Sequence, residues 1–276
     1  MEIRFMSIGS GSCGNCYYIG TGTYGILIDA GIPVKTIRQA LKRENIPFES
    51  ICAVFVTHDH ADHIKSLGVI ASKAMIPIYA TKEVHEGITR NYCTTAPIEQ
   101  QYIRYIEKEA PIAFRDMNIT AFEVPHDGSD NVGYCIEIGD KTFSFLTDLG
   151  KITDTAARYI NKANYLVIEA NYEEEMLAMG KYPKFLKDRV SSDTGHLSNQ
   201  TTAEHLARNF NEYLKYIWLC HLSEENNHPE LAYKAVEMQM RSYGIIPGKD
   251  VHLSVLKRAT PSPLYHLSCN EKSEEC

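Results

Sequence analysis

The sequence predicts an α/β protein: two similar halves, each of sheet plus helices, which suggest a four-layer αββα sandwich. Three observations lead there. Short apolar runs fit for buried strands alternate with amphipathic stretches of helical period in the first hundred residues. Four strand-like runs then follow one another up to Asp148, and after Asp148 the strand–helix alternation resumes. No linker rich in Pro, Gly or Ser divides the chain, so residues 1–260 are taken as one domain, with 261–276 as a partly disordered C-terminal tail.

In chain order, EIRFMSI, CYYIG and YGILIDAG read as the first strands, with the glycine-rich GSGSCGN as the turn between the first two. Glycine permits positive φ and close backbone approach, so that turn either makes a simple hairpin or brings amide groups near a ligand. Val34 to Glu44 is an amphipathic helix, ICAVFVT a buried strand and IKSLGVIASKA a second helix. IPIYA is a short strand, and Lys82 to Asn91 a helix with His85 on its surface. Strands near QYIRYIE, NITAFEV, GYCIEIG and KTFSFLTD come next, then helix ARYINKA and strand YLVIEAN. A helix at TTAEHLARNF, with Thr201 and Glu204 as its capping box, leads to strand KYIWLC and helix PELAYKAVEMQM.

Strand AVFVT runs directly into His58, Asp59, His60, Ala61, Asp62 and His63. Packing offers no reason to gather imidazoles and carboxylates so densely, whereas divalent metals favour both as ligands. Residues two apart in an extended segment point the same way, so His58 and His60 can aim at one ion. A turn after them lets Asp62 and His63 face a second. Cys13 and Cys16 form a lone C-x-x-C pair in a hairpin setting and are read as structural thiols, with an accessory metal site as the alternative. The other cysteines are scattered, and no disulfide is expected.

The formal net charge of −7 argues against a broad polyanion-binding surface, although Lys181, Lys184, Lys187 and Arg189 cluster locally, as do Lys257 and Arg258. Each cluster is either a solvated face or a guide for phosphate. The N-terminus lacks the pattern of a signal peptide and no apolar run is long enough to span a bilayer, so a cytoplasmic protein with no membrane partner is expected.

HDHADH resembles the signature of the metallo-β-lactamase superfamily. The resemblance implies the αββα metallo-β-lactamase sandwich, two divalent ions (zinc or manganese, with iron as a third option), and further ligands at His126 in VPHDG, Asp148 in FLTDLG and His221 in LCHLS. It places Asp148 between the ions and makes Asp29 a support for the metal loop. Glu169 at a strand end, followed by His196 in GHLSN, is similar to the phosphodiesterase branch, which includes the tRNA-processing RNase Z enzymes. In that branch such a Glu/His pair assists the phosphate and its leaving group.

From Met1 to Ala259 the chain most fully resembles the YycJ (WalJ) group, through GSGSCGN, HDHADH, GHLSN and HLSEENN. That resemblance implies a metal-dependent nuclease acting 5′ to 3′ on double-stranded DNA in DNA repair, with nucleic acid as partner. In the expected chemistry Asp62 orients or deprotonates an attacking water, His196 serves the departing oxygen and Glu169 fixes its tautomer. Three alternatives accompany this reading. A small-molecule or cyclic-nucleotide phosphodiesterase would use the same residues. A di-iron oxidoreductase is expected to carry a glutamate within the motif, where Asp59 and Ala61 stand here, and a non-catalytic binding module would have lost ligands.

Overall fold

A computed structural model describes residues 2–94 and 96–269, in which the two halves form two seven-stranded sheets. The first begins antiparallel through β1 (Glu2–Gly9), β2 (Cys16–Gly20) and β3 (Gly25–Ile28). It continues parallel through β4 (Ile51–Phe55), β5 (Ile78–Ala80) and β6 (Ile103–Tyr105). The second repeats the plan. Strands β7 (Ile112–Phe114), β8 (Met117–Glu123), β9 (Val132–Ile138) and β10 (Lys141–Leu146) are antiparallel, and β11 (Tyr165–Glu169), β12 (Tyr216–Cys220) and β13 (His252–Val255) follow in parallel.

Parallel neighbours need crossovers, and the helices supply them. Helix α1 (Val34–Arg43) joins β3 to β4; α2 (Ala61–Ile64) and α3 (Leu67–Ala74) lead to β5, and α4 (Lys82–Arg90) to β6. In the second half α5 (Asp154–Lys162) precedes β11, while α6 (Glu174–Met179), α7 (Lys184–Val190) and α8 (Asn199–Arg208) precede β12, and α9 (Pro229–Ser242) precedes β13.

Between the sheets lies an aromatic core of Phe5, Tyr17, Phe55, Tyr134, Phe143, Phe145 and Trp218, with the Phe5 and Trp218 rings 4.4 Å apart. On the outer side of the first sheet, Met6, Leu27 and Val54 pack with Ile37, Leu41, Leu67 and Ile70 of the helices. On the outer side of the second, Leu166, Ile168 and Leu219 pack with Ile160, Leu206 and Val236. Each sheet is thus covered on both faces, giving helix, sheet, sheet, helix. Strands such as AVF and YLVIE are therefore continuous apolar runs rather than alternating ones.

Several sequence expectations need correction. The N-cap of α8 is Ser198, whose hydroxyl accepts the amide of Thr201, so Thr201 and Glu204 lie inside the helix and form no capping box. His85 is buried, its Nε2 3.2 Å from the Arg104 carbonyl, because it shares the apolar face of α4 with Val84 and Ile88. The fold also continues past residue 260: β14 (Tyr265–Ser268) pairs antiparallel with β1 from Glu2 to Phe5. The acidic segment 270–276 lies outside the described residues. Among the described residues, no helix is long and apolar enough to cross a membrane.

Candidate metal centre

The chemistry-bearing residues sit just past, or at, the C-terminal ends of strands. His58, His60, Asp62 and His63 follow β4, His126 follows β8, Asp148 follows β10, Glu169 ends β11 and His221 follows β12. Because these strands share one direction, their ends open on one edge of the sandwich and the structure brings all eight together, with His196 from the loop before α8.

Four overlapping groups of donors form: Asp148 shares one with Glu169, His196 and His221 and another with His58 and His63, and the remaining two flank it. His58, His60 and His126 offer one, with His60 Nδ1 3.3 Å from His126 Nε2. Asp62, His63 and His221 offer the other, with Asp62 Oδ2 3.3 Å from His221 Nε2 and 3.6 Å from His63 Nε2. Asp148 lies between them: its Oδ2 is 3.3 Å from His63 Nε2, its Oδ1 2.7 Å from His221 Nδ1 and 3.9 Å from His126 Nε2.

A second ring of contacts fixes tautomers. Asp29, at φ 59°, accepts the Thr57 amide at 2.8 Å, the Thr57 hydroxyl at 2.9 Å and His63 Nδ1–H at 2.7 Å. This leaves His63 Nε2 facing the centre. His126 Nδ1–H donates to the Gly195 carbonyl at 2.8 Å, so its Nε2 faces inward as well. Asp59 is no ligand. Its carboxylate accepts the Ser129 amide and hydroxyl at 2.8 and 2.6 Å, tying the His58 loop to the loop that carries His126. Asn171 Nδ2 donates to the His221 carbonyl at 2.7 Å and holds that residue at φ 51°.

Sequence reasoning left out Asn15 and Asp127. Asn15, from the glycine-rich turn, accepts no helix or strand role; its Nδ2 lies 3.2 Å from Asp62 Oδ2 and 2.9 Å from His63 Nε2, and its amide donates to the Asp62 carbonyl at 2.7 Å. Gly31 lets this happen, since a Cβ there would stand 1.6 Å from the Asp62 carbonyl oxygen. Asp127 Oδ1 lies 3.3 Å from His60 Nε2, which turns His60 Nδ1 towards the donors. The signals available were adjacency, Asp127 to His126, and the glycine pattern around Asn15. Cys13 is exposed and Cys16 buried beneath the outer helices; neither joins a donor group among the described residues.

These residues fit divalent cations. His58 Nε2 is buried without a hydrogen-bond partner, as is Asp148 Oδ2, although both face other donors. A buried polar atom left unpaired is costly, and a metal bond removes that cost. The electrostatics agree. Burial opposes a charge on His63, yet Asp29, Asp148 and Asp62 outweigh it and carry its pKa up to about 10, so the carboxylates call for positive charge at this spot. Alanine in place of Asp29 is expected to weaken metal affinity about 10–100-fold by freeing the His63 ring, read by competition with a chromogenic chelator. Unchanged affinity would count against the supporting role.

A doubly covered sheet sandwich with seven His and Asp donors at the strand ends defines a metallo-hydrolase of the metallo-β-lactamase fold. More particularly, the chain belongs to the β-lactamase superfamily domain family, whose sequence model matches residues 24–214. It is 32% identical over 254 residues to exodeoxyribonuclease YycJ of Bacillus anthracis, covering 91% of this chain and 95% of that one. To exodeoxyribonuclease WalJ of Streptococcus pneumoniae it is 34% identical over 262 residues, covering 95% and 97%. Among solved structures, the metallo-β-lactamase fold protein YhfI of Bacillus subtilis superposes with a TM-score of 0.70 at 16% identity, over 97% of this chain and all of that one, which shows the fold.

Proposed function

We propose that the protein hydrolyses phosphodiester bonds in nucleic acid, and that its preferred reaction is 5′ to 3′ removal of nucleotides from double-stranded DNA, in DNA repair in the cytoplasm. The names of its curated relatives, both exodeoxyribonucleases, support the substrate class. The observation that carries the reading is the Glu169–His196 pair beside the donors. Glu169 Oε1 accepts His196 Nδ1–H at 2.7 Å, while Oε2 accepts the Leu149 and Leu197 amides at 3.1 and 3.0 Å.

His58, His60 and His126 would hold one divalent ion, Asp62, His63 and His221 a second, and Asp148 would reach both. Zinc and manganese suit this mixed set best, with iron a further choice. Bound there, they supply Lewis acidity towards a phosphoryl oxygen and an activated water. The chain's own residues handle orientation and protons. Asp62 Oδ2, held by Asn15 Nδ2, is the carboxylate placed to orient or deprotonate the incoming water. Burial works against a charged His196, but Glu169 outweighs it and raises the imidazole pKa, which favours the doubly protonated ring that has an Nε2–H to give. That nitrogen has no hydrogen-bond partner among the described residues and can donate to the departing oxygen. Glu169, held charged by His196 against its own burial, keeps the ring fixed as the proton leaves.

The test is cleavage of 5′-labelled and 3′-labelled duplex and single-stranded DNA, and of matched RNA, with Mn²⁺ or Zn²⁺. Mononucleotides released from the 5′ ends of duplex DNA are expected, with no nitrocefin turnover. Release from 3′ ends would overturn the direction. Nitrocefin turnover without cleavage of any phosphodiester would overturn the class.

A further inference from the structure

Between Glu169 and His196 the chain leaves the sheet for the excursion of α6 and α7. Three bonds fix its place beside the donors. Arg189 Nε donates to Asp127 Oδ2 at 2.5 Å, and the other oxygen of Asp127 faces His60. The His196 amide donates to the Val190 carbonyl at 2.8 Å. Lys187 Nζ donates to the Ala178 carbonyl at 2.6 Å, binding α7 to the end of α6. Two of the four cations clustered here are therefore structural.

The other two are not. Lys181 and Lys184 are exposed and have no acidic partner among the described residues. With them stand two of the most exposed large apolar side chains of the molecule, Met179 at 87% and Phe185 at 74%. Phe185 precedes Arg189 by four residues, so both project from one face of α7, about 6 Å apart along its axis. The aromatic ring thus stands one turn from the side chain that holds Asp127 against His60.

We infer that this excursion grips the strand end of a nucleic acid, Phe185 stacking on a base of the strand being cut while Lys181 and Lys184 pair with its phosphates. The inference rests on the phosphodiesterase reading above. Three arguments favour this occupant. A chain of net charge −7 repels a polyanion over most of its surface, so phosphate contacts must concentrate where free lysines remain. Stacking is sequence-tolerant, because every base has a π-face, and an exonuclease must accept each base in turn. The patch is continuous with the metal centre through Arg189, Asp127 and His60.

The experiment uses the full metal-loaded enzyme on labelled duplex DNA, single-stranded DNA, RNA and bis(p-nitrophenyl) phosphate, over a salt series. Phe185→Ala is expected to raise KM for the nucleic acid about tenfold, with Phe185→Trp restoring it. The double variant Lys181→Ala/Lys184→Ala should lower the slope of log affinity against log salt by about 1.5. Both variants should turn over bis(p-nitrophenyl) phosphate as the parent does, since none of the three side chains belongs to a donor group. If the parent cleaves nucleic acid and neither variant differs from it, the inference alone fails. Equal losses on the ester and on nucleic acid would also overturn it, by showing that α7 merely supports the centre. A parent that cleaves the ester but no nucleic acid would overturn the nuclease reading together with this one.

Discussion

Asp148→Asn is expected to abolish turnover, with a loss of at least about 10³-fold, and to reduce bound metal from two ions to one or none. Asp148 is the carboxylate that lies between the two histidine-rich groups, within 3.3 Å of His63, 2.7 Å of His221 and 3.9 Å of His126, and its side chain is only 2% exposed. Asparagine keeps its volume, so packing is retained, but a neutral amide cannot balance two cations. Lewis-acid stabilisation of the transition state is worth several kcal/mol, and about 1.4 kcal/mol corresponds to each factor of ten. Metal analysis by plasma mass spectrometry of protein never exposed to chelator, beside kcat on duplex DNA, checks both parts. Two ions and near-parental turnover in the variant would remove Asp148 from the centre.

His196→Ala should lower kcat and kcat/KM together by about 10²–10⁴-fold while KM barely moves, because proton donation to a leaving group is made mainly in the transition state. Metal content should stay normal, since the Nδ1 of the ring is already engaged by Glu169 Oε1 at 2.7 Å. A p-nitrophenolate leaving group needs no proton, so the defect on p-nitrophenyl esters should be much smaller than on DNA. Equal losses on both with intact metal would reject the leaving-group role, and a loss of metal would make His196 a ligand.

The candidate ligands were legible in the sequence for a physical reason. Each follows, within a few residues, a strand whose apolar run is visible, so a charged or imidazole side chain at that point has no packing explanation. Glu169, outside the ligand set, was legible by the same logic, a carboxylate closing YLVIE at 0% exposure. The supporting residues were not legible, since Asn15 and Asp127 act through partners 47 and 67 positions away, and only the folded chain brings them close. Local rules also failed where tertiary context overrode them. Ser198 caps α8 one turn earlier than Thr201 because its hydroxyl, which also reaches Glu174, is held there by the α6 segment. His85 lies on an amphipathic helix, and the direction of its face depended on where β6 lands. Strand β14, four residues of mixed polarity, gains its identity only from β1.

That last pairing bears on the order in which the molecule is made. During synthesis β1 emerges first and its outer edge stays unpaired until Tyr265–Ser268 arrives, so the first sheet to begin is the last to be finished. Open strand edges are where chains pair wrongly with one another. His221, the last of the candidate ligands, precedes β14 by more than forty residues. A nascent chain thus carries its full set of donors while an edge of its first sheet is still bare, and metal captured at that stage would draw the two sheets together before the edge is sealed.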